Sequence, residues 1–97
     1  MTIKEFDKLI QSNKVVVLDF FASWCGPCQM LSPIIDELKK EMKTIVFLKS
    51  NIDEDLELAS KFKITSIPTI MLFKNGKLVN SFKGFKPKEF IKTWITK

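Results

Sequence analysis

Residues 15–28 read VVVLDFFASWCGPC, and this stretch decides the fold. Its first half, Val15–Phe21, is apolar and rich in β-branched residues apart from Asp19, which is typical of a strand covered on both faces. Its second half ends in Cys25 and Cys28, and a helical pattern follows them directly. The cysteine pair therefore lies where a buried strand passes into a helix, at the strand end where open α/β sheets collect their ligand sites.

A long amphipathic helix follows the cysteines. Its apolar residues recur at helical spacing, and charged residues occupy the opposite side. The apolar residues are Leu31, Ile34, Ile35, Leu38 and Met42, and the charged ones are Asp36, Glu37, Lys39 and Lys40. Pro33 falls inside this helix, where it has no N–H to donate and its ring crowds the carbonyl of Gln29, so we expect a kink there.

The remaining elements lie on both sides of this unit. Thr2 and Glu5 form a capping-box pattern, which predicts a helix over residues 3–12. Asn75-Gly76 is a turn typical of an antiparallel hairpin, and Pro87 suits the first position of a last helix. The other predicted elements are a buried strand at 45–48, a short helix at 53–62 and hairpin strands at 69–74 and 77–83.

The order of these elements predicts an α/β fold. A strand, a helix and a second strand form a right-handed parallel crossover, and the hairpin adds antiparallel strands to the same sheet. We therefore expect a mixed sheet with helices on both faces. Because no linker, repeat or low-complexity segment interrupts the pattern, residues 1–97 are predicted to form one domain.

The composition excludes several kinds of site. The chain has no histidine, so neither a Ser-His nor a Cys-His catalytic couple can form. Two cysteines are too few for a structural zinc site, which takes four Cys or His ligands, and we expect no metal. All basic residues are lysines, and without the planar fork of arginine we do not expect specific nucleic-acid recognition.

The net charge of +5 has two explanations. The lysines are spread along the chain and alternate with acids, which indicates a solvated surface or, alternatively, a preference for acidic partners. The sequence contains neither a long apolar run nor an apolar signal segment, so it predicts no membrane association and a cytoplasmic location. In that reducing compartment the cysteines would be thiols unless they cycle during catalysis.

The cysteine pair has the properties of a redox couple. The unpaired N–H groups and the positive potential at a helix N-terminus favour a thiolate at Cys25. Cys28 lies one turn further into the helix, close enough for a disulfide but more enclosed. Cys25 is therefore the candidate nucleophile that attacks a substrate disulfide, and Cys28 is the candidate that resolves the mixed disulfide.

Three other interpretations of the cysteines stay open. A structural disulfide between them would close a very small loop and gain little stability in a reducing compartment. A metal site would need carboxylates or a second chain to complete its ligands. The third interpretation is a pair of unrelated core residues. Redox chemistry accounts best for the spacing and the position of the two cysteines.

With these motifs the sequence resembles the thioredoxin family over most of its length. The matching segments are 19–23, 24–28, Pro33, 49–53, 67–69, 73–76 and Gly84. The resemblance implies a thioredoxin fold and reduction of protein disulfides, with no bound cofactor. It also implies that electrons come from NADPH through a flavin-containing thioredoxin reductase. The expected partners are this reductase and disulfide-containing client proteins, and we expect a monomer.

Two charged residues gain a role from the resemblance. Asp19 matches the family's buried carboxylate that helps to move the proton of the resolving cysteine, and Lys49 matches the lysine that neighbours this acid across the sheet. The chemistry of Asp19 has separate support, because desolvation in an apolar run raises the pKa of a carboxylate. The alternatives are an acid on an exposed strand face and a lysine free in solvent.

Six residues match the family's substrate-contact surface. They are Trp24, Gly26, Pro27, Ile67, Pro68 and Gly84, with Phe85 as a further candidate. Pro68 resembles the family's cis-proline, and the backbone just before it would pair with an extended substrate segment. In the alternative interpretation Ile67 and Phe85 are core residues, Pro68 is an ordinary start of a strand and Gly84 is a backbone bend.

The chain departs from the family pattern at three places. Phe21 stands where the family often has a second tryptophan, and Gln29 stands where a basic residue is common. Only three residues precede or open the first helix, so the usual N-terminal edge strand is expected to be missing or minimal. The sheet would then have four strands, with residues 45–48 as an exposed edge.

The predicted function is that of a protein-disulfide reductase that cycles between a dithiol and a disulfide. Oxidases and isomerases of the family often carry histidine between the two cysteines, whereas this chain has Gly26-Pro27 there. The alternative is a non-catalytic binding or scaffold module that uses the same groove. The presence of both cysteines disfavours that alternative.

Overall fold

The computed structural model describes residues 1–97. The chain forms four helices and four strands. In chain order they are α1 (Ile3–Ser12), β1 (Val15–Phe21), α2 (Gly26–Glu41), β2 (Val46–Asn51), α3 (Leu56–Lys61), β3 (Thr69–Lys74), β4 (Lys77–Lys83) and α4 (Lys88–Thr96).

The four strands form one mixed sheet in the order β2-β1-β3-β4. β1 and β2 are parallel, with Asp19 beside Lys49, whereas β3 is antiparallel to both β1 and β4. A parallel crossover followed by an antiparallel hairpin is the arrangement that the order of elements predicts, so the expected α/β fold is confirmed.

Apolar side chains cover both faces of the sheet. On one face Val17 packs with apolar residues of α2 and α4, and on the other Val16 and Leu18 pack with residues of α1 and α3. Because successive residues of a strand point to opposite faces, an apolar run such as β1 is buried throughout. The same alternation places Asp19 on the face of Val17, beneath α2.

Three predicted boundaries are wrong. β2 begins at Val46 and continues to Asn51, because the N–H of Ile45 donates to the carbonyl of Met42 in the preceding turn. α3 begins at Leu56 instead of residue 53, because the N–H groups of residues 54 and 55 donate to the carbonyl of Asn51. Pro87 is the extended N-cap of α4 and not its first helical residue.

The hairpin turn forms as the sequence indicates. Asn75 and Gly76 both have positive φ, 54° and 80°, as the two-residue hairpin turn requires. α2 continues past Pro33 to Glu41, so the proline does not end the helix. The kink expected at Pro33 stays a prediction.

The amino-terminal residues cap a helix and form no strand. The Oγ1 atom of Thr2 accepts the N–H of Glu5 at 3.0 Å, and the carboxylate of Glu5 accepts the N–H of Thr2 at 2.9 Å. The predicted capping box is therefore present. β2 has a neighbour on one side only, which confirms the four-stranded sheet and leaves the other side of β2 as an open edge.

We expect hydrogen exchange to report this open edge residue by residue. The N–H of Ile52 donates to the carbonyl of Phe21, and peptide groups alternate sides along a strand, so those of Phe47 and Lys49 point away from the sheet. Their amides should exchange roughly tenfold or more faster than the amide of Leu48.

Two-dimensional NMR of the protein in D₂O measures these rates. The amides of Val16, Val17 and Leu18 in β1 provide the internal reference, because β1 is flanked by β2 and β3. Uniform protection of residues 46–48, equal to that of residues 16–18, would show that the edge is covered.

Candidate functional site

The two cysteines form a disulfide at the N-terminus of α2, with their Cα atoms 5.3 Å apart. Cys25 is the N-cap residue, and its Sγ atom accepts the N–H of Cys28 at 3.2 Å. Both side chains are buried, Cys25 with 5% and Cys28 with 3% of its surface exposed. The sulfur of Cys25 thus lies at the end of the helix where free N–H groups and the helix dipole stabilise negative charge.

An exposed tryptophan lies next to the disulfide. Trp24 has 68% of its surface exposed, and its indole N–H donates to the carboxylate of Asp53 at 2.9 Å. On the other side of the motif the amide of Gln29 donates to the carbonyl of Ser23 at 2.8 Å. These two bonds hold the loop that carries Cys25 between a strand end and a helix start.

Asp53 and Ser23 are contacts that the sequence analysis did not single out. Asp53 lies in a segment that matches the family, but the sequence predicts it as the first residue of a helix and not as a partner of Trp24. The signal that could have found it is chemical, because an exposed indole has a single N–H donor and pairs with an acceptor where one is in reach.

The loop before β3 lies beside the disulfide. Ile67 packs against the buried cluster of Ala22, Cys25 and Cys28, and the Ile67–Pro68 peptide bond is cis, as the resemblance implies. The N–H of Gly84 donates to the carbonyl of Pro68 at 2.9 Å. Gly84 has a φ of 85°, a conformation that favours glycine, and Phe85 after it is exposed. The structure therefore places Ile67, Pro68 and Gly84 together beside the disulfide, whereas Trp24, Gly26 and Pro27 belong to the motif that carries it.

Asp19 is a buried carboxylic acid beneath α2. Only 1% of its surface is exposed, and its Oδ1 atom has no hydrogen-bond partner. Burial raises the pKa of Asp19 from 3.8 to about 7, while the positive charge of Lys49 acts in the opposite direction. A carboxyl group with this pKa can take up and release a proton near neutral pH.

Lys49 lies beside Asp19 in the sheet but pairs with α2. Its ammonium group donates to the hydroxyl of Ser32 at 2.6 Å and to the carboxylate of Asp36 at 2.9 Å. No hydrogen bond joins Lys49 to Asp19, although Lys49 contributes to the electrostatic environment of this acid. Ser32 and Asp36 were not among the residues that the sequence singled out.

We expect the charge of Lys49 to hold the pKa of Asp19 down. Lys49→Gln removes the nearby positive charge that favours the ionised carboxylate, so the pKa of Asp19 should rise further. Titration of the Asp19 carboxyl carbon by NMR measures this shift. Lys61→Gln, on the opposite layer of the molecule at α3, is the matched control and should leave it unchanged, whereas an unchanged pKa in Lys49→Gln would contradict the coupling.

The reactive group of the site is the Cys25–Cys28 disulfide. Residues 1–97 contain no cluster of three or more His, Cys, Asp or Glu side chains that could hold a metal ion. None of the four helices combines the length and the apolar character needed to span a bilayer. What the site brings together is a reducible sulfur pair, the loop with the cis-proline beside it and the buried carboxyl group of Asp19 beneath α2.

Comparison with known sequences gives a consistent family. The family model described as thioredoxin matches residues 1–97. A thioredoxin of Rickettsia felis is 48% identical over 99 residues, covering 100% of this chain and 94% of the relative. A thioredoxin of Mycoplasmoides gallisepticum is 43% identical over 88 residues, covering 91% of this chain and 88% of the relative.

Comparison with solved structures agrees. The thioredoxin of Fasciola hepatica superposes with a TM-score of 0.91 at 38% identity, covering 98% of this chain and 92% of that chain. A structure of Plasmodium falciparum thioredoxin gives a TM-score of 0.89 at 39% identity, with coverage of 98% and 92%. A chain from a study of thiol resolution in yeast mitochondrial 1-Cys peroxiredoxin gives 0.88 at 34% identity, with coverage of 95% and 87%.

Proposed function

The chain belongs to the thioredoxin family, and on this premise we propose which of its atoms carry out each step of thiol–disulfide exchange. It is a thiol-disulfide oxidoreductase that works through the redox-active pair Cys25 and Cys28. Members of the family reduce protein disulfides. The Cys25–Cys28 disulfide is closed in this structure, which is therefore the oxidised state of the cycle.

Cys25 makes the first attack. In the reduced protein its thiolate attacks one sulfur of a substrate disulfide, a mixed disulfide forms, and the second substrate sulfur leaves as a thiolate that takes a proton from water. This assignment is supported by the N-cap position of Cys25 and by the N–H of Cys28 that points at its sulfur. Both features stabilise the thiolate over the thiol.

Cys28 makes the second attack. Its sulfur, one turn inside α2, attacks the Sγ atom of Cys25, the Cys25–Cys28 bond forms, and the other substrate thiolate leaves. Two electrons have then passed from the cysteine pair to the substrate. Asp19 accepts the proton that the thiol of Cys28 gives up, a role supported by its burial under α2, its unpartnered oxygen and a pKa of about 7.

Substrate lies in the groove beside the disulfide. The groove is formed by Trp24, Gly26, Pro27, Ile67, Pro68 and Gly84. The exposed face of Trp24 offers an apolar contact, and the peptide groups next to Ile67 offer the backbone pairing of an added strand. An extended segment bound in this way would present its disulfide to Cys25. Lys49 acts in this account through its charge on Asp19 and not by touching substrate.

The electron supply follows from the direction of the reaction. Each turnover leaves the cysteine pair oxidised, so a reductant must reopen it before the next. We assign this role to a thioredoxin reductase that carries electrons from NADPH, with disulfide-containing client proteins as the other partners and no cofactor bound to the chain. We propose further that the protein works in the cytoplasm, where NADPH is available, and that it is a monomer with one domain over residues 1–97.

The observation that carries this function is the closed disulfide at the N-terminus of α2. Reduction of insulin by dithiothreitol, followed as precipitation of the B chain, tests it. The protein should accelerate the reaction catalytically, and the variant with both Cys25→Ser and Cys28→Ser should not. A correctly folded, oxidised protein without any acceleration would instead favour a binding module that uses the same groove.

A further inference from the structure

The open edge of β2 is a pairing surface that the redox mechanism does not use. The peptide N–H and C=O groups of Phe47 and Lys49 point outward, because the N–H of Ile52 points inward to Phe21 and the sides alternate along the strand. No strand lies beside them. Backbone groups arranged in this way are a template for an added strand.

The other edge of the sheet is protected. A register shift interrupts the pairing of β3 with β4 between Leu72 and Phe73. Leu72 pairs with Asn80 and Phe73 with Leu78, so Val79 has no partner in β3. The N–H of Ser81 is occupied by the side-chain oxygen of Asn80 at 2.9 Å. Bulges and local hydrogen bonds of this kind hinder edge-to-edge pairing. The regular edge at β2 has no such device.

A cleft of about 290 Å³ runs between this edge and α2. It is lined by Ile35, Asp36, Lys39, Phe47, Leu48 and Lys49. Ile35 and Phe47 give it an apolar part, and Lys39 and Lys49 border it together with the carboxylate of Asp36. A strand added at the edge would place every second side chain over this cleft, because side chains alternate between the two faces.

The charge around the edge is unbalanced. Lys49 already pairs with Asp36. Lys39, Lys40 and Lys43 form no ion pair, and they lie at the end of α2 and in the turn that leads into β2. A second copy of this chain would bring the same lysines to the pairing surface, where like charges repel. An acidic segment beside the start of β2 would meet opposite charges there, whereas the acidic residues Asp53 and Glu54 follow the end of the strand.

From these four observations we propose that the β2 edge binds an extended acidic segment of a partner protein as a fifth strand, with an apolar side chain of that segment in the cleft. The backbone groups of Phe47 and Lys49 supply the hydrogen bonds. Lys39 and Lys43 supply selectivity for acidic side chains. The groove beside Cys25 takes no part in this contact, so a partner held at the edge leaves the disulfide site free.

A pair of synthetic peptides tests the proposal on the oxidised protein, in which no thiol is free to react. The probe is an acetylated and amidated heptapeptide with glutamate at positions 1 and 7, valine at positions 3 and 5 and threonine between them, so that glutamate and valine share the face over the cleft. The comparison peptide has lysine in place of glutamate. The glutamate peptide should shift the NMR signals of β2 and slow the exchange of the amides of Phe47 and Lys49 severalfold. The lysine peptide should do neither.

Charge variants locate the contact. Lys39→Glu combined with Lys43→Glu should weaken binding of the glutamate peptide at least fivefold. The matched control combines Lys77→Glu with Lys83→Glu on β4, changes the net charge equally and should leave the affinity unchanged. Equal weakening by both pairs of substitutions would overturn the proposal.

Three further results would also overturn it. They are equal binding of the two peptides, signal changes centred on Trp24 and Ile67, and no change at β2 at millimolar peptide. Protection of Phe47 and Lys49 that depends on protein concentration without peptide would assign the edge to a second copy and thereby contradict an acidic partner.

Discussion

Cys28→Ser should turn the protein into a trap for its substrates. The thiolate of Cys25 can still attack a disulfide, but the serine hydroxyl cannot displace the substrate from the sulfur of Cys25. Mixed disulfides should therefore accumulate, and catalytic reduction of insulin should fall by about a thousandfold or more, because an entire covalent step is lost.

Non-reducing electrophoresis of the reduced variant after incubation with a disulfide-containing substrate shows the trapped species, and mass spectrometry of the linked peptides identifies the attached cysteine. Cys25→Ser is the matched control. It removes the sulfur at the N-cap of α2 and should yield neither turnover nor a stable mixed disulfide. Traps formed by Cys25→Ser and not by Cys28→Ser would reverse the two roles.

Asp19→Asn should stabilise the oxidised protein, and more so at high pH. At pH values below 3.8 the carboxyl group is protonated in both states. Between 3.8 and about 7 the unfolded chain releases this proton while the native protein keeps it, so the free energy of unfolding falls as pH rises. Above about pH 7 the native carboxyl is ionised as well and the loss is complete.

The size of this effect follows from the difference between the two pKa values. Each unit corresponds to about 1.4 kcal/mol, so the variant should gain roughly 4 kcal/mol over the wild type between pH 3 and pH 8. Chemical denaturation at the two pH values measures it. Asp7→Asn, at an exposed surface pair with Lys61, is the control and should stay within about 0.5 kcal/mol at both. An equal effect of Asp19→Asn at both pH values would place the carboxylate in solvent.

The same substitution separates the role of Asp19 in catalysis from its cost in stability. Without a proton acceptor beneath α2, resolution of the mixed disulfide by Cys28 should slow by roughly tenfold or more at pH 8, although the protein is more stable. A variant that is more stable and equally fast would leave Asp19 buried but without a part in proton transfer.

Local sequence patterns account for most of the fold. The apolar run of β1, the capping box at Thr2 and the Asn75-Gly76 turn each depend on neighbours within a few residues, and each forms as expected. The start of α3 was wrong because the acids at 53–55 resemble the first turn of a helix. In the structure the side-chain oxygen of Asn51 accepts the N–H of Asp53, and its carbonyl oxygen accepts the N–H groups of Glu54 and Asp55. These hydrogen bonds form a turn that competes with helix formation.

Part of the candidate site could be predicted as well, because some of its residues are also defined by their near neighbours in the chain. The cysteine motif is local, and Asp19 could be placed in the core because its neighbours in the chain are apolar. The partners of Lys49 and Trp24 could not be read from the sequence. Asp36 lies 13 residues from Lys49, and Asp53 lies 29 residues from Trp24. Long polar side chains select such partners only after the sheet and α2 have packed.

The open edge of β2 is one of the features in which this chain differs from the pattern of its family. Thr2 caps α1, residues 1 and 2 form no strand, and β2 pairs with β1 alone. The lysines around this edge then have two effects, since they oppose pairing with a second copy and favour an acidic strand. A device against aggregation and a docking surface can therefore consist of the same side chains.

A single-turnover measurement tests the central claim most directly, that the Cys25–Cys28 pair itself carries the electrons. Reduced protein is mixed with an equimolar amount of insulin, the reaction is quenched with acid and then alkylated, and mass spectrometry counts the thiols of both molecules. The account predicts that the protein loses two hydrogen atoms as a Cys25–Cys28 disulfide forms. One substrate disulfide is opened for each Cys25–Cys28 disulfide that forms. Both protein thiols still free, with the substrate bound but its disulfides intact, would contradict it.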